Sequence, residues 1–136
     1  MNMHKKIKIE SKIINIRVVE NAIDEISNDI KISKDSYGKV LVSTLEAVNN
    51  AILHGNKSDP EKFVHIEIFW KLNELIIKVT DEGSGFKHDK VPDPTIQDNI
   101  ESVNGRGVFL MSHLADKLKY NRKGNTVTMI FKNIIS

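Results

Sequence analysis

The stretch FVHIEIFWKLNELIIKVTDEGSGF, residues 63–86, decides the fold class. It contains two runs rich in β-branched and aromatic residues, 63–70 and 75–80, and a short polar segment separates them. Both runs have period-two stretches, so the pattern predicts two strands joined as an antiparallel hairpin. The second strand runs directly into Asp81, and a carboxylate is therefore expected at its end.

Helical periodicity dominates the chain before this hairpin. A short strand is predicted at IKIES, residues 7–11, and a first helix at about residues 14–30. A second helix follows and ends near His54 and Gly55. The candidate N-caps of the second helix are Ser33, Asp35 and Ser36. The apolar stripes are Val19, Ala22, Ile23, Ile26 and Ile30 in the first helix, and Val40, Leu41, Thr44, Leu45, Val48, Ala51 and Ile52 in the second.

After the hairpin, a segment without periodicity at residues 87–104 is longer than most connections and is typical of a binding lid. A helix at residues 107–114 and a second hairpin, 118–120 with 126–131, follow it. Helices beside adjacent hairpins predict an α+β fold. The expected architecture is a two-layer α/β sandwich with a mostly antiparallel mixed sheet and its helices on one face. Residues 1–136 are expected to form a single domain.

Composition restricts the classes of protein and partner. A chain of 136 residues can bury about two thirds of its unfolded surface, and it contains no cysteine for disulfides or thiolate metal sites. The net charge of +2 is too small for a nucleic-acid footprint. No apolar run approaches the roughly 20 residues of a membrane span. We therefore expect a cytoplasmic protein without direct nucleic-acid or membrane contacts.

Glu46 and Asn50 lie four positions apart in EAVNNAILHGN, residues 46–56. On a helix this spacing puts both side chains on one face. The amide oxygen of Asn50 is a suitable ligand for Mg²⁺, which leaves the carboxylate of Glu46 free as a base. The ordinary alternative is a solvated helix face with no chemistry.

Asp81 begins DEGSGF, residues 81–86, at the end of the predicted strand. Its carboxylate is placed to accept a hydrogen bond from the exocyclic amine of adenine. Gly83 and Gly85 permit a positive φ and a close backbone approach to a ring or a phosphate chain. The alternative is an ordinary strand-to-loop turn.

Gly105, Arg106 and Gly107 precede a helix predicted to begin near Val108, within GRGVFLM, residues 105–111. Backbone N–H groups at a helix N-terminus can bind an anion. Arg106 can add a charged contact to a terminal phosphate, or it is a solvated arginine on a loop.

Taken in order, these segments resemble the GHKL ATPase superfamily, and most closely its anti-sigma factor serine kinases from bacterial partner-switching systems. The resemblance covers about residues 35–132. Residues 46–56 match the N box, residues 81–86 the first glycine box and residues 105–111 the second, while GNTV, residues 124–127, matches the turn into the last strand.

The resemblance implies the Bergerat fold with Mg²⁺ and ATP bound beneath a flexible lid. It implies Glu46 as general base, Asn50 as metal ligand, and Asp81 as the adenine reader supported by Thr126. The other nucleotide-binding positions are Gly83, Gly85, Gly105, Arg106, Gly107 and Val108. The implied partners are a STAS-domain anti-anti-sigma protein, which receives the phosphoryl group on serine, a sigma factor, and a second copy in a homodimer.

Two other functions stay open at this point. One is a binding module that uses ATP only to change shape, and the other is a detached ATP domain that serves another protein. A base at Glu46 favours chemistry, because a pure binding module has no need for one.

Overall fold

A computed structural model describes residues 3–84, 111 and 113–135. The elements are β1 (Met3–Glu10), a 3₁₀ turn (Ile13–Asn15), α1 (Ile16–Ile30), α2 (Lys34–Asn50), a π-helix (Ala51–Gly55), β2 (Phe63–Lys71), β3 (Glu74–Thr80), β4 (Lys117–Tyr120) and β5 (Thr126–Lys132). The predicted lid at residues 87–104 lies outside the described residues. So does most of the helix predicted at 107–114, of which Met111, His113 and Leu114 are described as helical.

The five strands form one sheet in the order β1-β2-β3-β5-β4. The pairings β1 with β2, β2 with β3, β3 with β5 and β4 with β5 are all antiparallel. The α+β prediction is confirmed. The sheet is more regular than predicted, since no parallel pairing occurs among the described strands.

One face of the sheet carries the core. Ile68 opposes Ile77, which opposes Met129, and all three side chains are buried. Because side chains alternate across a strand, the neighbouring positions Glu67 and Lys78 point to the other face and oppose each other there. Each fully buried aliphatic side chain contributes about 1.5–3 kcal/mol to folding. The alternation therefore fixes which face the helices cover.

Helix α1 packs on this core through one stripe, in which Val19, Ile23 and Ile26 are buried. The helix ends at Lys31, whose φ of 59° is left-handed. Helix α2 is capped by Ser33, whose Oγ accepts a hydrogen bond from the Ser36 N–H at 3.2 Å. Of the three candidate caps, Ser33 is therefore the one that the structure uses. No helix in the described part of the chain has the length and apolar character that crossing a bilayer requires.

Two hydroxyl groups on the core side of α2 are buried with no hydrogen-bond partner in the described part of the chain. Among the described residues, Ser43 Oγ and Thr44 Oγ1 have no hydrogen-bond partner, and both residues are fully buried. A buried polar group without a partner carries its full desolvation cost. These hydroxyls therefore lower the stability of the fold.

Replacing the Thr44 hydroxyl with a methyl group is expected to stabilise the protein. We expect Thr44→Val to raise the free energy of unfolding by about 1 kcal/mol, because the side-chain shape is kept and the desolvation cost is removed. Urea denaturation measures the change. Thr44→Ser is the control: it keeps the hydroxyl, loses a buried methyl group and should lower stability. A destabilised Thr44→Val would mean that the hydroxyl has a partner in solution.

Candidate functional site

Asp81 directly follows β3, and its backbone is held by Asn125, the residue before β5. The Asp81 N–H donates to the Asn125 carbonyl at 2.9 Å, and the Asp81 carbonyl accepts from Asn125 Nδ2 at 3.0 Å. One residue earlier, Thr80 and Thr126 are register partners and their Oγ1 atoms lie 2.9 Å apart in a hydrogen bond. Thr126 therefore lies beside the strand end that carries Asp81, and it is nearly fully buried.

The end of the π-helix packs directly against Asp81 and Gly83. A Cβ atom at Gly55 would overlap the Asp81 carboxylate, and one at Gly83 would overlap the Gly55 carbonyl. The Gly83 N–H donates to Asp81 Oδ1 at 2.8 Å. These two glycines therefore let two backbone segments and a carboxylate meet within van der Waals contact.

This geometry corrects one prediction for Gly83. Among the described glycines, only Gly124 has a positive φ, of 84°. Gly83 is thus needed for space and not for a left-handed backbone, and the group that approaches it is the Gly55 carbonyl of the protein itself.

Burial raises the pKa of Asp81 above its ordinary value. The hydrogen bond from the Gly83 N–H and the charges of Lys123 and Lys62 act in the opposite direction but do not cancel the effect of burial. The ionised carboxylate is thus incompletely compensated by the described residues. A donor supplied by a ligand would favour the charged form.

Glu46 and Asn50 lie in the last part of α2, one turn apart on the same face. Asn50 Oδ1 is buried and has no hydrogen-bond partner among the described residues. Buried polar atoms nearly always have a partner, so this one calls for an explanation such as an ion or a ligand. An amide oxygen is a ligand that Mg²⁺ accepts, and Asn50 therefore fits a metal site.

A π-helical turn continues α2 beyond Asn50. The Asn56 N–H donates to the Ala51 carbonyl at 2.8 Å, five residues back, in place of the four of an α-helix. This wider turn brings Gly55 onto Asp81 and directs the Asn56 side chain inward. Sequence reasoning predicted an ordinary helix end here.

Gly55 and Asn56 are structural parts of the site that sequence reasoning missed. Asn56 is 1% exposed, and its Oδ1 accepts the Glu82 N–H at 2.7 Å. Both residues belong to the EAVNNAILHGN segment. The available signal was a helix that ends in glycine followed by an amide residue. The remaining predicted site residues Gly85, Gly105, Arg106, Gly107 and Val108 lie outside the described residues.

Adding a methyl group at Gly55 is expected to disturb the site. With Asp81 as the predicted contact to adenine, Gly55→Ala should weaken the binding of an adenine nucleotide about 10-fold or more, because the Asp81 carboxylate must move. Gly38→Ala is the matched control: nothing lies within 4 Å of a Cβ there. Gly38 is inside α2, so its replacement should stabilise the helix by about 1 kcal/mol. Calorimetric titration and thermal melting test both variants, and unchanged affinity in Gly55→Ala would contradict a binding role that depends on the position of the Asp81 carboxylate.

Comparison with known families assigns the chain to one of them. The model of the histidine kinase-like ATPase domain family matches residues 9–131. The chain belongs to this family. The match covers β2, β3, β4 and β5 up to residue 131, but only the last two residues of β1. It confirms the resemblance to GHKL ATPases.

Individual relatives carry more specific names. An anti-sigma F factor from Bacillus cytotoxicus is 37% identical over 86 residues, which are 60% of this chain and 56% of that protein. The chain thus aligns with little more than half the length of this relative. An anti-sigma F factor from Clostridium botulinum is 32% identical over 109 residues, which are 75% of this chain and 76% of the relative.

A solved structure shares the fold. The crystal structure of the RsbU and RsbW domains of Rv1364c from Mycobacterium tuberculosis superposes with a TM-score of 0.65 at 16% identity. The superposition covers 96% of this chain and 32% of the chain in the solved structure. At this identity the likeness concerns the fold alone.

Proposed function

We propose that this protein is an anti-sigma factor and an ATP-dependent protein-serine kinase. It phosphorylates a STAS-domain anti-anti-sigma partner and sequesters a sigma factor. The observation that carries the kinase part is the buried Asn50 Oδ1, which has no hydrogen-bond partner among the described residues and lies one helical turn after Glu46. The chain that carries it belongs to an ATPase family. The names of the anti-sigma F relatives support the regulatory part.

Asp81 is the residue that recognises the adenine base in this proposal. Its carboxylate is half-buried, its pKa is raised, and a ligand donor would compensate its charge. The exocyclic amine of adenine is such a donor, whereas guanine has at the same position a keto oxygen, which can only accept. Thr126 supports this position through its hydrogen bond with Thr80. The other predicted nucleotide-binding positions are Gly83, Gly85, Gly105, Arg106, Gly107 and Val108.

Glu46 and Asn50 have separate roles. Asn50 Oδ1 would hold Mg²⁺, which when bound offsets the charge of the nucleotide phosphates. Glu46, on the same helix face, accepts the proton of the attacking serine hydroxyl. A carboxylate one turn from the amide can reach the attacking oxygen without occupying the position that Asn50 provides.

The partners and location follow from the proposed regulatory role. A sigma factor and a STAS-domain protein compete for the kinase, which acts as a homodimer in the cytoplasm. Phosphorylation of the STAS-domain protein on serine weakens its binding to the kinase, and the kinase then binds the sigma factor.

The proposal is tested by incubating the purified protein with γ-labelled ATP, Mg²⁺ and the STAS-domain proteins of its own organism. We expect transfer to one serine, identified by phosphosite mapping, and transfer about 100-fold slower or worse with Glu46→Ala. Tight ATP binding without transfer to any of these proteins would instead favour an ATP-gated binding module or a detached ATP domain.

A further inference from the structure

The side chain of Asn56 makes three hydrogen bonds inside the protein, and both N–H groups of its amide are used. Its Nδ2 donates to Ser11 Oγ at 2.8 Å and to the Phe63 carbonyl at 2.9 Å, and its Oδ1 accepts the Glu82 N–H at 2.7 Å. The residue is 1% exposed. A nucleotide in solution therefore has no direct access to this amide.

The three partners of Asn56 come from the ends of three adjacent strands. Ser11 follows β1, Phe63 begins β2 and Glu82 follows β3. Glu82 is held a second time, because its Oε1 accepts the Phe63 N–H at 2.9 Å and its Oε2 lies 2.9 Å from His65 Nε2. Glu82, in the turn after β3, is thus tied to β2 through its side chain. Its backbone N–H ties it to Asn56, the residue that follows the π-helix.

These bonds hold the residue next to Asp81. The backbone of Asp81 is hydrogen-bonded to Asn125. The next residue, Glu82, is hydrogen-bonded through its N–H to Asn56. Its carboxylate lies against Gly55, the residue that precedes Asn56. Rotation of the turn would break the Glu82 bond, so the direction of the carboxylate is set before any ligand arrives. Such preorganisation improves affinity by reducing the ordering cost of binding.

We propose that Asn56 is a positioning residue for nucleotide recognition. It acts through the Glu82 backbone to aim the Asp81 carboxylate and does not touch the nucleotide. This inference rests on the proposed function, in which Asp81 binds adenine. It assigns a functional role to an amide that is otherwise explained only as a support of the fold.

A purely structural role for Asn56 makes a different prediction. Three buried hydrogen bonds also stabilise the protein, so Asn56→Ala lowers the melting temperature under either hypothesis. Ser11→Ala provides the control because it breaks the Asn56 bond on the side away from Glu82. It also removes the bond from Ser11 Oγ to the Lys62 carbonyl, 2.7 Å long. Ser11→Ala therefore damages the same network and keeps the bond to Glu82.

The test is calorimetric titration of wild type, Asn56→Ala and Ser11→Ala with ATP and GTP, well below their melting temperatures. We expect Asn56→Ala to weaken ATP binding about 10-fold, with a much smaller change for GTP. Ser11→Ala should melt earlier and keep the wild-type affinity. An ATP affinity of Asn56→Ala within about twofold of wild type, or an equal loss in Ser11→Ala, would overturn the proposal.

A second measurement needs no variant at Asn56. Hydrogen exchange of the Glu82 amide, followed by NMR in the wild-type protein without nucleotide, should be slow because the bond to Asn56 already exists. Rapid exchange that slows only when ATP is added would contradict preorganisation. Failure of the proposed function is distinguishable: the wild-type protein would then show no preference for ATP over GTP, and Asp81→Asn would change neither affinity.

Discussion

Glu46→Ala is expected to bind ATP with the wild-type affinity and to transfer its phosphoryl group about 100-fold more slowly or worse. The reason is that Glu46 accepts a proton from the attacking serine and makes no contact with the nucleotide in the proposed mechanism. Single-turnover transfer from γ-labelled ATP to the STAS-domain partner measures the rate, and calorimetry measures the affinity.

The control for this variant removes the same charge from the same helix. Asp35 lies in the first turn of α2, is largely exposed and pairs with Lys39 at 3.3 Å. An exposed pair of this kind is worth only about 0.3–0.5 kcal/mol, so Asp35→Ala should retain full transfer activity. A parallel loss of affinity and rate in Glu46→Ala would show that Glu46 holds the nucleotide or the fold, and the role of base would be withdrawn.

Asp81→Asn is expected to weaken ATP binding about 10-fold to 100-fold, because a charge-assisted hydrogen bond contributes about 1.5–3 kcal/mol. The amide presents a donor or a neutral acceptor to the adenine amine, and both are poorer partners than a carboxylate. GTP binding should change little. Titration with both nucleotides tests whether Asp81 recognises the base. An unchanged preference for ATP over GTP in the variant would show that it does not.

The same substitution should stabilise the nucleotide-free protein. Burial raises the pKa of Asp81, so the folded protein favours the protonated form more strongly than the unfolded chain does. The stability linked to this group is fully present below the ordinary value of 3.8 and is lost as the pH rises through the raised pKa. Asp81→Asn should therefore melt above wild type at pH 7, and this advantage should shrink toward acidic pH. A lower melting temperature at pH 7 would mean that the carboxylate stabilises the fold.

Local periodicity predicted most of the secondary structure. The hairpin of β2 and β3 was readable because its register depends on neighbouring residues and a short connection. The strand order β1-β2-β3-β5-β4 could not be predicted from local periodicity, because the pairing of Thr80 with Thr126 joins positions 46 residues apart. Hydrophobic alternation assigns a strand to a face of the sheet but does not choose its neighbour.

Some residues of the candidate site were predictable from the sequence, and others were not. The spacing of Glu46 and Asn50 on one helix face depends only on helical geometry, and the roles assigned to them stay predictions. Gly55 escaped notice because its function is to leave room for Asp81, a residue on another element. Asn56 escaped because a π-turn shifts its direction away from the 3.6-residue period, and no sequence periodicity records such a shift.

The π-turn at Ala51–Gly55 also limits how this chain can change in length during evolution. A π-turn accommodates one residue more than the α-helical turn it replaces, and deletion of one residue there would restore a regular helix. Because the wider turn absorbs its extra residue, the residues beyond it would keep nearly the same direction around the helix axis. Gly55 and Asn56 would still face Asp81 and Glu82 after such a deletion, whereas a deletion within the regular part of α2 would rotate them by about 100°. Homologues that keep these contacts are therefore expected to differ in length by one residue at the π-turn and not within residues 34–50.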